Sequence, residues 1–363
     1  MILNCLRWRR ALSYGAAALL LLFLALRPQR CAAACAEGIA LWAKAVLPAL
    51  FPFLLLTGAT AGLRGADKSR TRGGRASKKG CAQKIGTKLR APLRALGLSA
   101  AGAGAFLTSA LSGYPVGSRA VADLYAGGRI GRGEAVRLSA LCSTSGPMFV
   151  LGTVGSGMFG GGGAGAVLLA AHLLGVLSVY FVLRFFEWRR SARGRKDAFS
   201  RPPAGGQTSR GAPRPTERAA AKERAAKELS LGEVVQNAVL AVLGVGGFIA
   251  AASVLLCVLE DLYLLRPLQE LLTLCLRPFG LEGCAAGTVC GLIESTRGCA
   301  ALAGAGEAAL PFAAFTITFG GASILAQQLA FLKKAGVRAG RFVAVKAAQG
   351  AAAFAFCLLF LFL

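Results

Sequence analysis

The sequence predicts an all-α polytopic membrane protein, with about seven full spans and two re-entrant broken-helix hairpins in an inverted repeat. Three observations predict this class. Of the 363 residues 55% are hydrophobic, yet the formal net charge is +26. The positive charge is concentrated in two loops between long apolar segments, and two apolar segments are interrupted by polar residues. A membrane protein separates apolar and charged residues in this way, whereas a water-soluble domain would have to bring them together.

Two basic segments fix the predicted orientation. Residues 64–94 hold 11 Lys or Arg and one acid, and residues 187–230 hold 12 Lys or Arg and five acids. Because Lys and Arg favour the cytoplasmic side of a membrane, both segments are predicted to be cytoplasmic. Neither has the fold context or the series of aromatic residues among basic ones that is typical of a nucleic-acid site, so nucleic acid is not a predicted partner.

Four parts of the chain are predicted. Residues 1–38 are predicted to form an N-terminal signal-anchor helix and an outer loop, and the first helix is interpreted as uncleaved because further spans follow it. Residues 39–186 form a first membrane repeat, with the basic insert 64–94. Residues 187–230 form a Pro-containing cytoplasmic linker. Residues 231–363 form a second membrane repeat.

The same order of elements is predicted in both repeats: a full span, a broken segment and two further spans. By counting crossings, the second repeat begins on the opposite side of the membrane from the first, which makes the repeat inverted. A shift of 181 positions aligns Gly117 with Gly298, although such identities are weak in an Ala-rich chain. The seven predicted spans cover residues 11–26, 39–63, 134–159, 164–186, 231–259, 310–332 and 342–363.

The first broken segment combines hydroxyl groups, a phenol, small residues and a proline within an apolar stretch. Irregular backbone at membrane depth persists only where protein or a polar cavity satisfies it. Paired breaks in two halves of a chain therefore predict the binding site of a transporter. The candidate substrate-binding residues here are Ser112, Gly113, Tyr114, Pro115, Gly117, Ser118 and Arg119. An alternative for Arg119 is an interfacial anchor that pairs with Asp123, four residues later.

The second broken segment holds four consecutive polar residues: Glu294, Ser295, Thr296 and Arg297. An uncompensated charge inside a membrane is costly, so these groups must pair, be neutral or contact a ligand. The ligand would be the substrate or a coupling ion, H+ or Na+. The alternative is a structural ion pair between Glu294 and Arg297, one helical turn apart.

Further polar groups interrupt later spans. Ser143, Thr144 and Ser145 precede a proline, and Thr316, Thr318 and Ser323 hold the comparable position in the second half. They either line a cavity or bond to the helix backbone. His172 is the only histidine, and an interhelical hydrogen bond is favoured over a proton relay. The sequence contains no nucleophile elbow, phosphate loop or metal-ligand spacing. No catalytic residue, metal or cofactor is predicted.

Four of these motifs resemble the sporulation integral membrane protein YlbJ family. Residues 111–124 read LSGYPVGSRAVADL, residues 143–149 read STSGPMF, residues 291–300 read GLIESTRGCA, and residues 319–323 read FGGAS before Gln327. The resemblance covers nearly all of residues 41–363 outside the basic segments. The family is similar to a wider group with a nucleoside-recognition Gate domain. In this light the two membrane repeats are Gate-like.

The resemblance implies a transporter of dipicolinate, a small planar anion, across the outer forespore membrane toward the spore, with a link to the spore cortex. The implied location is the cell membrane or the outer forespore membrane of a spore-forming bacterium. The implied partners are the anionic substrate, the lipid bilayer, a coupling ion and a second copy of the chain. The two carboxylates would be met by Arg297 or Arg119 and by N–H groups at the ends of the half-helices, and Arg297→Gln would reduce uptake. Two alternatives remain: a nucleoside or nucleobase transporter, and a non-transporting assembly factor of the spore envelope.

Overall fold

The computed structural model describes residues 14–58, 97–198 and 230–363, apart from positions 16, 49, 53, 57 and 162. The basic segment 64–94 and most of the linker 187–230 lie outside these ranges. The described residues form helices and no strand. The bounds are α1 Ala17–Leu26, α2 Pro28–Leu41 with a π-helical turn Trp42–Val46, α3 Ala100–Ser112, α4 Val116–Ala126, α5 Arg132–Leu141, a π-helix Phe149–Met158, α6 Ala164–Ala198, α7 Leu231–Asp261, α8 Arg266–Leu276, α9 Cys284–Ile293, α10 Ser295–Ala303, α11 Leu310–Phe319, α12 Gly321–Leu332 and α13 Ala339–Phe362.

Four stretches of the described chain are long and apolar enough to cross a membrane: Ala164–Glu187, Leu231–Asp261, Glu307–Ala335 and Ala339–Phe362. A fifth is present if α1 and the following helix, which bend by 104° at their junction, form one span. The seven spans and the inverted orientation of the repeats stay predictions.

Residues 27–38 were expected to form part of an outer loop, and most of them are helical instead. Helix α2 begins at Pro28, which suits the first helical position because proline lacks the N–H that would have no partner there. Its face with Cys31, Ala34 and Gly38 is buried, and Gly38 lies directly against α7 at Ala250 and Ser253. The packing against α7 explains why this segment is helical.

Two hairpins repeat the same construction. Helices α3 and α4 fold back on each other, and a Cβ atom at Gly117 would collide with Ser109. Helices α9 and α10 do the same, and a Cβ atom at Gly298 would collide with the backbone of Gly291. Glycine is required at both positions because the two arms of each hairpin touch there.

Each hairpin packs into its own buried apolar cluster. The cluster around α3 and α4 includes Leu138 of α5, Tyr180 of α6 and Phe342 of α13. The cluster around α9 and α10 includes Leu168 of α6 and Ala353 of α13. Helices α6 and α13 take part in both clusters and contact each other directly at Gly175 and Ala353. These two helices therefore connect the two hairpins.

None of the residues of helix α8 is buried. Leu268, Leu271 and Leu274 lie along one face and are 44%, 59% and 66% exposed. This spacing is typical of a helix that lies in the plane of a membrane surface with its apolar face toward lipid. A full crossing of the membrane by α7, as the sequence predicts, would put α8 on the side opposite to the linker 187–230.

Candidate functional site

The first break, residues 113–115, separates α3 from α4. Helix α3 ends at Ser112, and Gly113 adopts φ +74°, where side chains are disfavoured. A side chain at Gly113 would also collide with the backbone of Gly146. Helix α4 begins at Val116 without a side-chain cap. The first hairpin therefore turns against the backbone of the polar segment that follows α5.

The second break is the single residue Glu294 between α9 and α10. Its backbone is extended (φ −134°, ψ 112°), and its carboxylate caps α10 by accepting from the Arg297 N–H at 2.7 Å. The other carboxylate oxygen accepts from the Thr296 hydroxyl at 3.1 Å. Glu294 is fully buried. The carboxyl group therefore lies at the N-terminus of α10, which is the positive end of the helix dipole.

The two breaks meet at one central cavity of about 60 Å³. Ser112 and Tyr114 reach it from the first break, and Glu294 and Thr296 reach it from the second. The hydroxyl oxygen of Ser112 is buried and has no hydrogen-bond partner in the described part of the chain. Among the described lining residues Glu294 is the one with a charged side chain. The remaining lining residues are Val46, Leu50, Leu111, Ser145, Gly146, Met148, Phe149, Val245, Ile249, Ile324 and Gln327.

Further contacts connect the first hairpin to the second half. The phenol of Tyr114 donates to the carbonyl of Ile317 in α11 at 3.2 Å, and the hydroxyl of Ser118 donates to Gln328 in α12 at 3.0 Å. Helices α11 and α12 meet at Gly320, which has φ +90°. The broken span formed by α11 and α12 therefore packs against the first hairpin, formed by α3 and α4.

The two candidate arginines lie away from the central cavity lining. Arg119 is exposed on α4, and its Nε atom is 3.9 Å from the Asp123 carboxylate, as the anchor alternative predicted. The guanidinium of Arg297 is 3.4 Å from the carboxylate of Glu37 in α2. Arg297 contacts Glu294 through its backbone N–H, and its side-chain ion pair is with Glu37 instead.

The predicted polar residues Ser143, Thr144 and Ser145 form an unwound segment between α5 and the π-helix, and all three are buried. Side chains from α3 and α13 satisfy backbone carbonyls in and just before this segment. Ser109 donates to the Cys142 carbonyl at 2.6 Å, Lys346 donates to the Ser143 carbonyl at 2.7 Å, and Gln349 donates to the Ala140 carbonyl at 3.0 Å. Backbone groups that an α-helix would pair internally are thus paired by side chains.

His172 completes this network. Its Nε2 atom accepts from the Ser145 N–H at 3.0 Å, so the proton of the neutral ring is on Nδ1. Nδ1 then donates to the Thr318 hydroxyl at 2.9 Å. The predicted interhelical hydrogen bond is confirmed, and it joins α6 to the broken spans of both halves.

Lys346 and Gln349 were not among the predicted site residues. Both are fully buried on α13 and lie three residues apart, on one helical face. A signal was present in the sequence, because a lysine within an otherwise apolar span marks a functional or structural polar contact. Its partner, a backbone carbonyl 203 positions away, leaves no trace in the residue pattern.

Chemically, the central cavity offers one carboxylate, several hydroxyl groups and a glutamine amide. Groups of this kind are suited to a cation or to the hydrogen-bonding groups of a neutral solute. The N-terminus of α10, which would otherwise suit an anion, is already occupied by the carboxylate of Glu294.

The chain is 28% identical over 341 residues to the sporulation integral membrane protein YlbJ of Bacillus subtilis (strain 168). The match covers 92% of this chain and 78% of the relative. The chain is therefore similar to this sporulation membrane protein along most of its length. No family model and no solved structure matches the chain. Similarity to YlbJ supports an integral, multi-pass membrane protein with a role associated with sporulation.

Proposed function

We propose that this protein is a transporter that moves a small planar anion, dipicolinate, across the outer forespore membrane toward the spore. The observation that carries the proposal is that the two breaks, residues 113–115 and residue 294, are 179 positions apart in sequence and meet at one cavity. Ser112 and Tyr114 come from the first hairpin, and Glu294 and Thr296 come from the second. Broken helices that enclose a polar cavity between two repeats are typical of secondary transporters.

The small volume of the central cavity indicates a closed state of the proposed transporter, in which the cavity is too small for the substrate. Its volume is about 60 Å³, whereas small-molecule pockets usually have about 300 to 1,000 Å³. A planar solute with two carboxylates would therefore enter only after the hairpins separate. Alternating access, in which one or both hairpins move relative to α6 and α13, provides that separation.

Glu294 is assigned the coupling role in this proposal. Its buried carboxylate lines the cavity, and the unpartnered hydroxyl of Ser112 lines the same space. A proton or Na+ bound there would neutralise the carboxylate and remove its repulsion of an anionic substrate. Binding of the ion and of the anion would thereby support each other, which is the requirement for coupled transport.

The alternative, a nucleoside or nucleobase transporter, has one specific observation in its favour. The described lining of the central cavity contains neutral polar groups and one carboxylate, with neither Lys nor Arg. Such a set suits the hydroxyl and amide groups of a neutral solute. That alternative also predicted an Arg297 paired only with Glu294, and the guanidinium pairs with Glu37 instead.

Uptake by the reconstituted protein tests the proposal. Purified protein is placed in lipid vesicles, and the uptake of radiolabelled dipicolinate and uridine is measured under H+ and Na+ gradients. Dipicolinate uptake that depends on a gradient supports the proposal, and uptake of uridine alone supports the alternative. If folded protein moves neither solute under any gradient, the transport function is rejected in favour of an assembly role in the spore envelope.

A further inference from the structure

A second cavity, larger than the central one, lies where α5, α6 and α13 meet. Its volume is about 380 Å³, within the usual range of about 300 to 1,000 Å³ for small-molecule sites. It adjoins the end of α6 that leads into the linker 187–230, which the charge distribution puts in the cytoplasm. We call it the cytoplasmic cavity. Its ionisable lining residues are Arg132, Arg137, Tyr180, Arg184, Glu187, Arg338 and Arg341.

The charge of this lining is strongly unbalanced. Five arginines face one carboxylate, Glu187, among the described lining residues. Glu187 is 3.7 Å from the Arg137 guanidinium, at the outer limit of an ion pair. Arg132 donates to the Gly336 carbonyl at 3.5 Å, which leaves its positive charge without a counter-ion there. A concave surface with such an excess of one charge concentrates ions of opposite charge.

Two of the arginines have donors without a partner. The Nε atoms of Arg137 and Arg184 are buried and have no hydrogen-bond acceptor in the described part of the chain. A buried donor without an acceptor costs free energy, and an acceptor supplied by a bound ligand removes that cost. Carboxylate and phosphate groups fit guanidinium groups with two parallel hydrogen bonds. These two donors therefore point to an oxyanion as the ligand.

The chain from the end of α5 into the unwound segment runs from the lining of the cytoplasmic cavity to the lining of the central cavity. Ala140 lines the cytoplasmic cavity, and Ser145 lines the central cavity. Between them, Gln349 donates to the Ala140 carbonyl, and Lys346 donates to the Ser143 carbonyl. The polar side chains of α13 thus follow the chain from one cavity to the other.

We propose that the cytoplasmic cavity binds a small soluble anion with at least two negative charges and is the loading site for the transported solute. The binding site is inferred from its own arginines, whereas its role in loading rests on the function proposed above. The two features that carry the inference are the five-arginine lining and the unpartnered Arg137 and Arg184 donors. Anionic lipid headgroups share this chemistry, so the test separates a soluble ligand from lipid.

The test measures equilibrium binding of radiolabelled dipicolinate to the purified full-length protein in neutral detergent. The variant R338Q/R341Q removes two exposed charges at the start of α13 and leaves Arg137 and Arg184, whose Nε atoms are buried, in place. We expect binding about tenfold weaker than in the wild type, because two charge-assisted contacts are lost. The monoanion picolinate should bind more weakly than dipicolinate, and added salt should weaken dipicolinate binding.

Arg266→Gln is the matched control. Arg266 is exposed on α8, on the opposite side of the membrane, and pairs with Glu270 at 3.6 Å. Its loss should leave dipicolinate binding unchanged. Elution of each variant as a single species in size-exclusion chromatography shows that it is folded. Equal binding by the wild type and folded R338Q/R341Q, or no binding by the wild type, would overturn the inference.

A second measurement separates lipid from soluble ligand. The wild type and R338Q/R341Q are purified from nanodiscs that contain phosphatidylglycerol, and retained lipid is counted by native mass spectrometry. Loss of retained lipid with unchanged dipicolinate binding would reject the soluble ligand and identify a headgroup site. Failure of the transport function gives a different result: dipicolinate binding remains sensitive to R338Q/R341Q, while vesicle uptake is absent.

Discussion

The ammonium group of Lys346 lies 2.7 Å from the carbonyl oxygen of Ser143, in a position with no exposed surface. This contact joins a helix near the C-terminus to the unwound segment of the first half. It pairs a backbone carbonyl that has left its helix, which is the requirement for irregular backbone in a membrane. The bond therefore supports the local structure on which the central cavity depends.

Lys346→Met tests this support. The substitution keeps the length of the side chain but leaves the Ser143 carbonyl buried without its donor, at a cost of about 1 to 3 kcal/mol. We expect a lower midpoint of thermal unfolding in detergent, followed by intrinsic fluorescence. Lys334→Met, an exposed lysine in the turn before α13, is the control and should melt like the wild type. Equal melting of K346M and wild type would show that the bond contributes nothing to stability.

Glu294→Gln tests the coupling role. The amide retains an oxygen that can accept from the Arg297 N–H, so the cap of α10 and the fold should persist. The charge that would bind H+ or Na+ is lost. We expect vesicle uptake of dipicolinate to lose its dependence on the ion gradient, whereas the exposed acid variant Glu307→Gln should keep it. Gradient dependence that survives in E294Q would place the coupling ion elsewhere.

Gly298→Ala tests the contact between the arms of the second hairpin. A Cβ atom at this position would meet the backbone of Gly291, which cannot move aside as a flexible side chain can. We expect a destabilisation of about 1 to 3 kcal/mol, measured by unfolding in mixed micelles. Gly244→Ala in α7 is the matched control, since no atom lies within 4 Å of the added methyl group. The control should be neutral or more stable by up to about 1 kcal/mol.

Arg297→Gln and Glu37→Gln test whether the Arg297 guanidinium acts on the substrate. Because the two side chains form a partly exposed ion pair, loss of either should cost at most about 1 kcal/mol of stability. We expect both variants to reduce uptake by the same small factor. A much larger loss of uptake in R297Q than in E37Q would show that the guanidinium reaches the substrate during transport, as the sequence motif suggested.

The residue pattern was a good guide to the breaks because it reflects local chemistry. The shift of 181 positions that aligns Gly117 with Gly298 also aligns the last residues of α3 and α9, Ser112 and Ile293. Both glycines lie where the two arms of a hairpin touch. Small and polar residues at the ends of short helices are visible in one sequence, so their positions were predictable.

The partners of those polar residues were not predictable from the sequence. The guanidinium of Arg297 pairs with Glu37, which is 260 positions away, rather than with the neighbouring Glu294. Lys346 and Gln349 also bond to groups more than 200 positions away. Such pairings depend on how the two halves pack, and an Ala- and Leu-rich pattern does not specify that packing.

The direct contact between α6 and α13 restricts which parts of the protein can move. At Gly175 the backbone of α6 approaches Ala353 so closely that even a methyl group would not fit. These two helices could slide past each other only if they first separated. The first hairpin contacts the second half of the chain in part through side-chain hydrogen bonds, such as that of Ser118 to Gln328. In the proposed transport cycle we therefore expect α6 and α13 to stay fixed relative to each other, so that any movement takes place in the hairpins.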